Sequence, residues 1–226
     1  MQDPEYVKSA FARIADRYVV TNHVLSLGTD ILWRKRVASI VKGWNPEKLL
    51  DIATGTGDLA LEFQKVLPDC AVTGSDFCPE MLAYATSRGV QETLVADALN
   101  LPFEDNSYDV VTVAFGLRNM ADYPKAISEM QRVLKPGGHL LILDFSLPTN
   151  LLREPYTFYL DKVLPHLAGF ITQQPDAYHY LSDSIKAFPS GDNMKKLLES
   201  QGLIQPNHEE LSFGVASIYT AQKSAG

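Results

Sequence analysis

The chain has 226 residues, enough for one sizeable domain with its own hydrophobic core. Its content of 46% hydrophobic and 21% charged residues is typical of a globular protein, and no apolar run approaches the roughly 20 residues that cross a bilayer as a helix. The net charge of -7 disfavours nucleic acid as the main partner, but it leaves open a contact between a membrane and an apolar face.

The two cysteines, Cys70 and Cys78, are too few for a disulfide scaffold and have no metal-binding spacing. Reduced thiols in a cytoplasmic protein are the simpler interpretation, and we expect no metal site. Residues 1–5 have neither a basic start nor an apolar core, so we expect no signal peptide.

Residues 1–44 are predicted to form a helical cap before the first strand. Four residues share one helical face by their spacing: Phe11, Ile14, Ala15 and Tyr18. A second helix is predicted from Asp30 to Val41, with a basic outer face formed by Arg34, Lys35 and Arg36. This cap is either a structural element or a lid over a site, and the periodicity favours the structural role.

Residues 48–52 predict a buried strand, which a glycine turn at Gly55 and Gly57 joins to a helix. The spacing G-x-G-x-x-A fits a dinucleotide-binding turn. Acids flank the turn at Asp51 and Asp58, and the neighbouring sequence has no Lys or Arg. These charges would repel a pyrophosphate and attract the ammonium and sulfonium of S-adenosylmethionine (SAM), so we favour SAM over NAD. Asp58 could equally serve as a helix cap.

The next two strands are predicted at residues 71–76 and 92–96. Asp76, at the end of the first of them, can accept hydrogen bonds from a ribose diol, which both NAD and SAM carry. Asp97, after the second, is either an acceptor for an adenine amino group or a turn residue. Pro79 is predicted to open the helix between these strands.

Residues 108–114 predict a central buried strand, and residues 139–145 a fifth strand after a tight turn at 135–138. A helix is predicted to begin at Asp122. Strict alternation of strands and helices predicts a parallel, doubly wound sheet, whose ligand crevice lies beyond the carboxyl ends of its strands. Arg118 and Asn119 therefore lie where chemistry is expected.

Residues 147–190 interrupt this alternation with a helical insertion rich in aromatic and large aliphatic residues. Its first helix is predicted between Pro155 and Pro165, and its apolar side chains form either a small core or the wall of a substrate tunnel. A further helix is predicted from Asp192 to Gly202, followed by a strand pair, 205–213 and 215–223.

Several blocks of the sequence resemble the ubiquinone/menaquinone biosynthesis C-methyltransferases. The turn Asp51-Ile52-Ala53-Thr54-Gly55-Thr56-Gly57-Asp58 is similar to the SAM motif of class I methyltransferases in general. The more specific blocks are these: Phe11 to Gly28 with Trp33-Arg34; Ala114-Phe115-Gly116-Leu117-Arg118-Asn119; Leu134 to Gly138 with Phe145-Ser146; Tyr178 to Pro189; and Leu211-Ser212-Phe213-Gly214. The chain departs from the family pattern at Val19, Thr21 and Asp144.

The resemblance implies a single Rossmann-like class I methyltransferase domain over residues 1–226. Such a domain has a mostly parallel doubly wound sheet, a C-terminal antiparallel hairpin, the cap and the insertion. It further implies SAM as the cofactor, held by Asp51, Thr54, Gly55, Thr56, Gly57, Asp58, Asp76, Phe77, Asp97, Ala98 and Ala114. The implied acceptor is a prenylated quinol, most simply demethylmenaquinol, bound by Asn22, Asn119 and Tyr159. A cytoplasmic enzyme with a peripheral contact at the inner face of the membrane, and a homodimer, are both compatible with this resemblance.

Methylation of a ring carbon requires in-line placement, stabilisation of the phenolate and exclusion of water. We assign phenolate stabilisation, or orientation of a water that removes the proton, to Arg118, because arginine stays protonated and cannot itself be a good base. Further candidates for the catalytic site are Tyr18, Asp144 and Tyr178. The alternatives are a benzoquinol or another small phenol or amine as acceptor, a non-catalytic scaffold, and an NAD-dependent oxidoreductase.

Overall fold

A single seven-stranded sheet forms the centre of the fold in the computed structural model, which describes residues 28–149, 151–163 and 176–226. For residues 176–181 the course of the main chain alone is described. The strand order is β3-β2-β1-β4-β5-β7-β6. The strands from β3 to β5 in this order are parallel, whereas β7 is antiparallel to both β5 and β6. The predicted doubly wound sheet with an antiparallel C-terminal hairpin is therefore confirmed.

The strands are β1 (Lys48–Ile52), β2 (Ala71–Asp76), β3 (Glu92–Val95), β4 (Tyr108–Ala114), β5 (Leu134–Phe145), β6 (Leu203–Leu211) and β7 (Ala216–Lys223). The α-helices of the described residues are α1 (Thr29–Trp44), α2 (Asp58–Val66), α3 (Pro79–Ser87), α4 (Tyr123–Val133), α5 (Arg153–Phe158), α6 (Asp176–Ala187) and α7 (Asp192–Ser200). A π-helical turn, Tyr159–Val163, extends α5. Most predicted boundaries agree with these ranges within two residues.

Two hydrophobic clusters cover the faces of the sheet. Helices α1, α2 and α3 pack on one face, where Val37, Phe63 and Ala85 are fully or almost fully buried. Helices α4 and α7 pack on the other face through side chains that include Ile127 and Leu198. Because both faces are covered, the central strands are apolar on both sides, which explains the continuous hydrophobic runs in the sequence.

The start of β5 differs from the prediction. The predicted turn at residues 135–138 is a bulge inside a longer strand: Leu134 pairs with Tyr108, whereas His139 pairs with Val110. An added Cβ on Gly138 would lie 2.9 Å from the carbonyl oxygen of Asp109, so the main chains approach too closely for a side chain. The turn residues were recognised correctly, but the pairing on either side of them is not visible in the sequence.

The start of α5 also differs. Pro155 does not precede the helix but lies in its first turn, which begins at Arg153. Proline is tolerated there because its missing N–H would have no partner within the helix. The predicted end of this helix at Pro165, and the first helix of the cap, lie outside the described residues. No helix in the described part of the chain is both long and apolar enough to cross a membrane.

Candidate active site

The glycine turn between β1 and α2 is held by main-chain hydrogen bonds. The N–H of Thr54 donates to Ser75 O at 2.9 Å, and the N–H of Gly57 donates to Thr54 O at 2.9 Å. Both Gly55 and Gly57 have positive φ, at 56° and 81°. A Cβ on Gly57 would lie 2.5 Å from Val90 Cγ2, whereas one on Gly55 would meet no atom closer than 4.0 Å. Gly57 thus permits close packing of the turn, and Gly55 leaves open space in front of it.

Asp51 supports this turn from inside the protein. Its carboxylate is 1% exposed and accepts hydrogen bonds from Thr54 Oγ1 at 2.7 Å and Thr112 Oγ1 at 2.6 Å. Burial raises the pKa of Asp51 to about 6, against the opposing effect of the two hydroxyl donors. The predicted cofactor residues Asp51 and Thr54 are therefore in direct contact.

Asp58, at the start of α2, has a basic partner that the local sequence does not show. Arg88 donates to Asp58 Oδ1 at 2.8 Å and to Thr56 O at 2.8 Å, and Thr56 Oγ1 donates to Asp58 Oδ2 at 2.7 Å. Burial acts to raise the pKa of Asp58, but the hydrogen bond from Arg88 and the charge of Arg34 outweigh it and hold the pKa below its usual value. The premise that no Lys or Arg lies near the turn was wrong. Arg88 is 30 residues from Asp58 in the sequence but is in contact with it in the fold.

Arg34 is the second cation near the turn, and its predicted outward orientation was wrong. The side chain is 12% exposed, and Nη1 lies 2.5 Å from Oδ2 of the buried Asp30. Its positive charge acts on both Asp51 and Asp58. Arg36 does lie on the outer face, where it pairs with Glu209. The turn is thus surrounded by both acidic and basic groups, which suits a zwitterionic ligand.

Asp76 links the end of β2 to the turn. It accepts hydrogen bonds from the N–H of Gly55 at 2.9 Å and from that of Cys78 at 3.0 Å. Burial raises the pKa of Asp76, and main-chain donors, among them Phe77, act against this rise. The carboxylate is fixed at the carboxyl edge of the sheet, next to the open space at Gly55.

Asp97 forms a turn, which was one of the two alternatives predicted for it. Its Oδ1 accepts from the N–H of Leu99 at 2.9 Å, and its carbonyl accepts from the N–H of Asn100 at 2.9 Å. The residue is exposed and the neighbouring Ala98 is half-buried. A role toward adenine stays a prediction for both.

The end of β4 carries unusual main-chain geometry. After Ala114, Phe115 has a φ of 57°, and Ala53 at the end of β1 has a φ of 52°. A Cβ on Gly116 would lie 2.5 Å from Ala53 Cβ, so the two strand ends are in close contact. Non-glycine residues with positive φ are strained and are frequent at functional sites.

Arg118 is held in the adjacent 3₁₀ turn by three contacts. Its Nη1 donates to Asp144 Oδ1 at 2.5 Å and to Phe115 O at 2.7 Å, and its guanidinium carbon lies 5.1 Å from the ring centre of Phe145. Asp144 is fully buried, and burial raises its pKa although the positive charge of Arg118 opposes this. The structure thus brings two predicted catalytic residues together as a buried ion pair.

Two tyrosines of the insertion lie near this pair. Tyr156 and Tyr159 have ring centres 6.4 Å apart and pack with Phe145 against the same small cluster. Burial raises the pKa of Tyr156, with the positive charge of Arg118 acting in the opposite direction. Tyr159 was predicted as a substrate residue, whereas Tyr156 was not among the predicted site residues.

Of the remaining predicted residues, only Asn119 has a described side chain. Asn119 is half-buried, and its Nδ2 donates to Phe115 O at 3.3 Å. Tyr18 and Asn22 lie outside the described residues, and for Tyr178 the main chain in α6 is described but not the side chain. The described residues contain no group of three or more His, Cys, Asp or Glu side chains that could hold a metal ion.

Sequence reasoning missed Arg34, Arg88 and Tyr156. Arg34 was visible as part of the Trp33-Arg34 block, and its orientation could have been inferred from the four-residue spacing to Asp30. Nothing in the local sequence connects Arg88 with the glycine turn or Tyr156 with Arg118.

Residues 1–223 match the sequence model of the ubiE/COQ5 methyltransferase family. The demethylmenaquinone methyltransferase of Thermus thermophilus is 43% identical over 219 residues, which cover 94% of this chain and 99% of that protein. The ubiquinone/menaquinone biosynthesis C-methyltransferase UbiE of Geobacter sulfurreducens is 40% identical over 228 residues, covering 97% of this chain and 89% of the other.

The fold is also similar to solved structures. The phosphoethanolamine N-methyltransferase 2 of Haemonchus contortus, in complex with S-adenosyl-L-methionine, superimposes with a TM-score of 0.64 at 18% identity. The match covers 95% of this chain and 60% of that one. At this identity the likeness concerns the fold, which agrees with the strand order described above.

Proposed function

The chain belongs to the ubiE/COQ5 methyltransferase family, and from this premise we propose that it transfers a methyl group from SAM to a ring carbon of demethylmenaquinol. The match over residues 1–223 is the observation that carries the proposal, because it includes the cap, the insertion and the hairpin as well as the SAM turn. A benzoquinol is the second candidate acceptor, since relatives such as the Geobacter sulfurreducens protein are named for both quinone pathways.

The glycine turn suits the methionine end of SAM. An amino-acid group carries an ammonium and a carboxylate, and the turn lies among the acids Asp51 and Asp58 and the bases Arg34 and Arg88. The space in front of Gly55 allows a ligand to approach the main chain. We assign the ammonium to the acidic side and the carboxylate to Arg34, with Asp76 accepting from the ribose. Thr56, Phe77, Asp97, Ala98 and Ala114 complete the proposed cofactor site.

SAM supplies a methyl group on a sulfonium, whose sulfur leaves as a neutral thioether. The acceptor carbon becomes nucleophilic when the neighbouring hydroxyl gives its proton to a water, so the protein must favour the phenolate. After the methyl group is transferred, the same carbon loses its ring hydrogen as a proton to water and the ring becomes aromatic again. Arg118 provides a fixed positive charge for this purpose, because Asp144 and the carbonyl of Phe115 hold its guanidinium in one position. Little reorganisation is then needed as negative charge develops on the acceptor oxygen.

Asp144 acts through Arg118 in this proposal. A fully buried carboxylate that accepts from Arg118 and from the N–H of Phe145 at 2.8 Å is a positioning residue and has no direct path to the acceptor. Tyr159, Tyr178, Asn119, Tyr18 and Asn22 remain proposed contacts of the ring. Tyr156 joins them, because burial keeps its hydroxyl protonated and the positive charge of Arg118 acts on it.

We further propose that residues 1–226 form one domain that acts in the cytoplasm and reaches its acceptor at the inner face of the membrane. One hydrophobic cluster includes side chains from α1, β1, β5 and β7, so the beginning and the end of the described chain share a core. We propose no nucleic-acid partner. The homodimer stays a prediction, which a measurement of the molecular mass in solution would test.

The test is an anaerobic assay of the purified chain with methyl-labelled SAM and either demethylmenaquinol or a demethylated benzoquinol. We expect label on a ring carbon of the naphthoquinol, identified by mass spectrometry, and tight SAM binding by calorimetry. Exclusive labelling of the benzoquinol would transfer the proposal to the second acceptor. SAM binding with no labelled product, even from a host lipid extract, would favour the scaffold, and binding of NADH instead of SAM would favour the oxidoreductase.

A further inference from the structure

Six large apolar side chains are exposed in three segments of the chain. We call this set the apolar rim; it consists of Ile31, Leu32, Leu151, Leu152, Phe158 and Phe213. The most exposed are Leu151 at 96%, Phe213 at 75% and Leu32 at 65%. The other large apolar side chains exposed in the described residues, Leu94, Val95 and Ile204, lie on the outer strands β3 and β6.

The three segments meet at the carboxyl end of β5. Trp33, next to Leu32, donates its indole N–H to Ser212 Oγ at 3.0 Å, which joins the start of α1 to the turn that carries Phe213. In the same turn, a Cβ on Gly214 would lie 3.1 Å from Pro148 Cα, three residues before Leu151.

The same segments also contact the acceptor side of the site. The rings of Trp33 and Phe145 are 6.1 Å apart, and Phe145 lies under the guanidinium of Arg118. Tyr156 and Tyr159, near Arg118, belong to the helical segment that also carries Leu152 and Phe158. The apolar rim therefore borders the region in which the acceptor ring is proposed to bind.

The turn of the β6–β7 hairpin has a strained main chain. Ser212 and Phe213 have φ values of 48° and 61°, a left-handed conformation that bulky side chains rarely adopt. In most such turns glycine or asparagine removes the strain. Here the strain places a phenylalanine side chain in solvent, where it gains nothing from burial, so the conformation is best explained by a partner that buries the ring.

The chemistry of the acceptor identifies this partner, and this step rests on the proposed function. A prenylated quinol is dissolved in a bilayer, so its ring must pass to Arg118 without its tail crossing water. A second protein seated on the apolar rim would cover the edge of the sheet through which the acceptor must enter. A bilayer on the same residues instead delivers the acceptor. Since the net charge is -7, attraction to anionic headgroups is not the expected driving force.

We propose that the apolar rim is a membrane-docking surface, in which Phe213 and Leu151 enter the lipid interface and hold the acceptor edge of the sheet against the bilayer. Docking in this orientation leaves the prenyl tail in the lipid while the quinol ring reaches the site.

The experiment compares the full-length chain with the double variant Phe213→Asn/Leu151→Ser and with Ile204→Thr as control. Asparagine tolerates the left-handed conformation, which preserves the turn. Ile204 is an exposed apolar residue at the opposite end of β6 from Phe213. Binding to phosphatidylcholine vesicles, with and without phosphatidylglycerol, is measured by flotation. Methylation is measured with long-chain demethylmenaquinol in vesicles and with a truncated, water-soluble analogue.

We expect the wild type and the control to bind both kinds of vesicle equally well, and the double variant to bind at least about tenfold more weakly, as loss of burial of large apolar side chains dictates. Methylation of the vesicle-bound acceptor should fall by a similar factor, whereas methylation of the truncated acceptor should stay within about twofold.

Vesicle binding that survives in the double variant, or that requires the anionic lipid, would overturn the docking surface. The proposal would equally fail if the wild type bound neither kind of vesicle and the only effect of the double variant were to convert a dimer into monomers. The partner on the apolar rim would then be a second copy of the chain. In either case methylation of the truncated analogue still reports separately on the proposed function, and its absence in the wild type would refute that function alone.

Discussion

The cofactor side and the acceptor side of the sheet edge are assembled from different parts of the chain. On the cofactor side, Asp51 and Thr54 contact each other within one turn, and Asp76 is 21 residues from Gly55. On the acceptor side, Arg118 and Asp144 are 26 residues apart, and the Trp33 indole meets Ser212 across 179 residues. The cofactor side is built from the neighbouring strand ends of β1, β2 and β4 and the helices between them. The acceptor side brings together the start of α1, the end of β5, the insertion and the hairpin.

The two sides also treat buried charge differently. Asp51 is satisfied by two neutral hydroxyls, and its pKa rises to about 6. Asp144 is paired with a guanidinium in a fully buried contact. The hydroxyl donors hold the Asp51 carboxylate in place as an acidic group beside the turn, whereas the ion pair on the acceptor side keeps a positive charge at a fixed place. Four predictions test this division of roles.

The largest effect is expected from Arg118→Ala, on the acceptor side. Removing the fixed cation should lower kcat by roughly a thousandfold, in line with the loss of one oxyanion-stabilising group. The dissociation constant of SAM should stay within about threefold, since the guanidinium of Arg118 is bonded to Asp144 and to the carbonyl of Phe115, on the acceptor side. Turnover and calorimetry on the same preparation measure both quantities.

Arg118→Ala also leaves Asp144 buried without its partner, which destabilises a protein by roughly 3–5 kcal/mol. The companion variant Arg118→Ala/Asp144→Asn removes the orphaned charge and should recover part of the melting temperature without recovering kcat. Recovery of kcat together with stability would show that Arg118 acts only structurally.

The sequence could predict the strands and turns of both sides, but not the contacts between residues that are distant in the sequence. The boundaries of β1, β2 and β4 agree with the structure because a buried strand has a recognisable apolar run. The pairing of Asp58 with Arg88 was missed, because it depends on how α3 packs beside the turn. Asp144 was recognised as a candidate, but its complete burial behind Arg118 depends on the pairing of β5 with β7.

The next effect in size concerns the charge of Asp51 and the pH dependence of stability. Its pKa is about 6 in the folded protein against an ordinary 3.8, so the folded state binds the proton more tightly than the unfolded state. Stability should therefore be lost as the pH rises from about 4 through about 6, by about 3 kcal/mol at about 1.4 kcal/mol per pH unit.

Asp51→Asn removes this titration. The difference in unfolding free energy between the variant and the wild type, measured with urea, should shift in favour of the variant by about 3 kcal/mol between pH 4 and pH 7. SAM affinity should fall in the variant, because the acidic side of the turn loses a charge. A difference that does not change with pH would contradict burial of Asp51 as the cause.

A smaller effect separates the two glycines of the turn. Gly57→Ala and Gly55→Ala share the strain of positive φ, about 1–2 kcal/mol. Only the Cβ at Gly57 overlaps Val90, which should cost about 1–3 kcal/mol more in thermal unfolding. Gly55→Ala should instead raise the SAM dissociation constant by at least about tenfold, since its Cβ occupies the ligand space. Equal SAM binding by Gly55→Ala and the wild type would argue against a cofactor at this turn.

The smallest effect is expected from two ion pairs of α1, which differ in burial and in position. The double variant Arg34→Gln/Asp30→Asn removes a buried pair without leaving an orphaned charge, and it takes a cation away from Asp51 and Asp58. If Arg34 holds the carboxylate of SAM, the dissociation constant should rise about tenfold, a typical value for a charge-assisted hydrogen bond of about 1.4 kcal/mol.

The matched control is Arg36→Gln/Glu209→Gln, which removes a more exposed pair of α1 on the outer face. Pairs of this kind contribute at most about 1 kcal/mol to stability, and this one contacts none of the described groups around the turn. Its SAM affinity should equal that of the wild type. If both double variants weaken SAM binding equally, α1 affects the cofactor only by packing on the sheet. Arg34 would then have no direct contact with SAM.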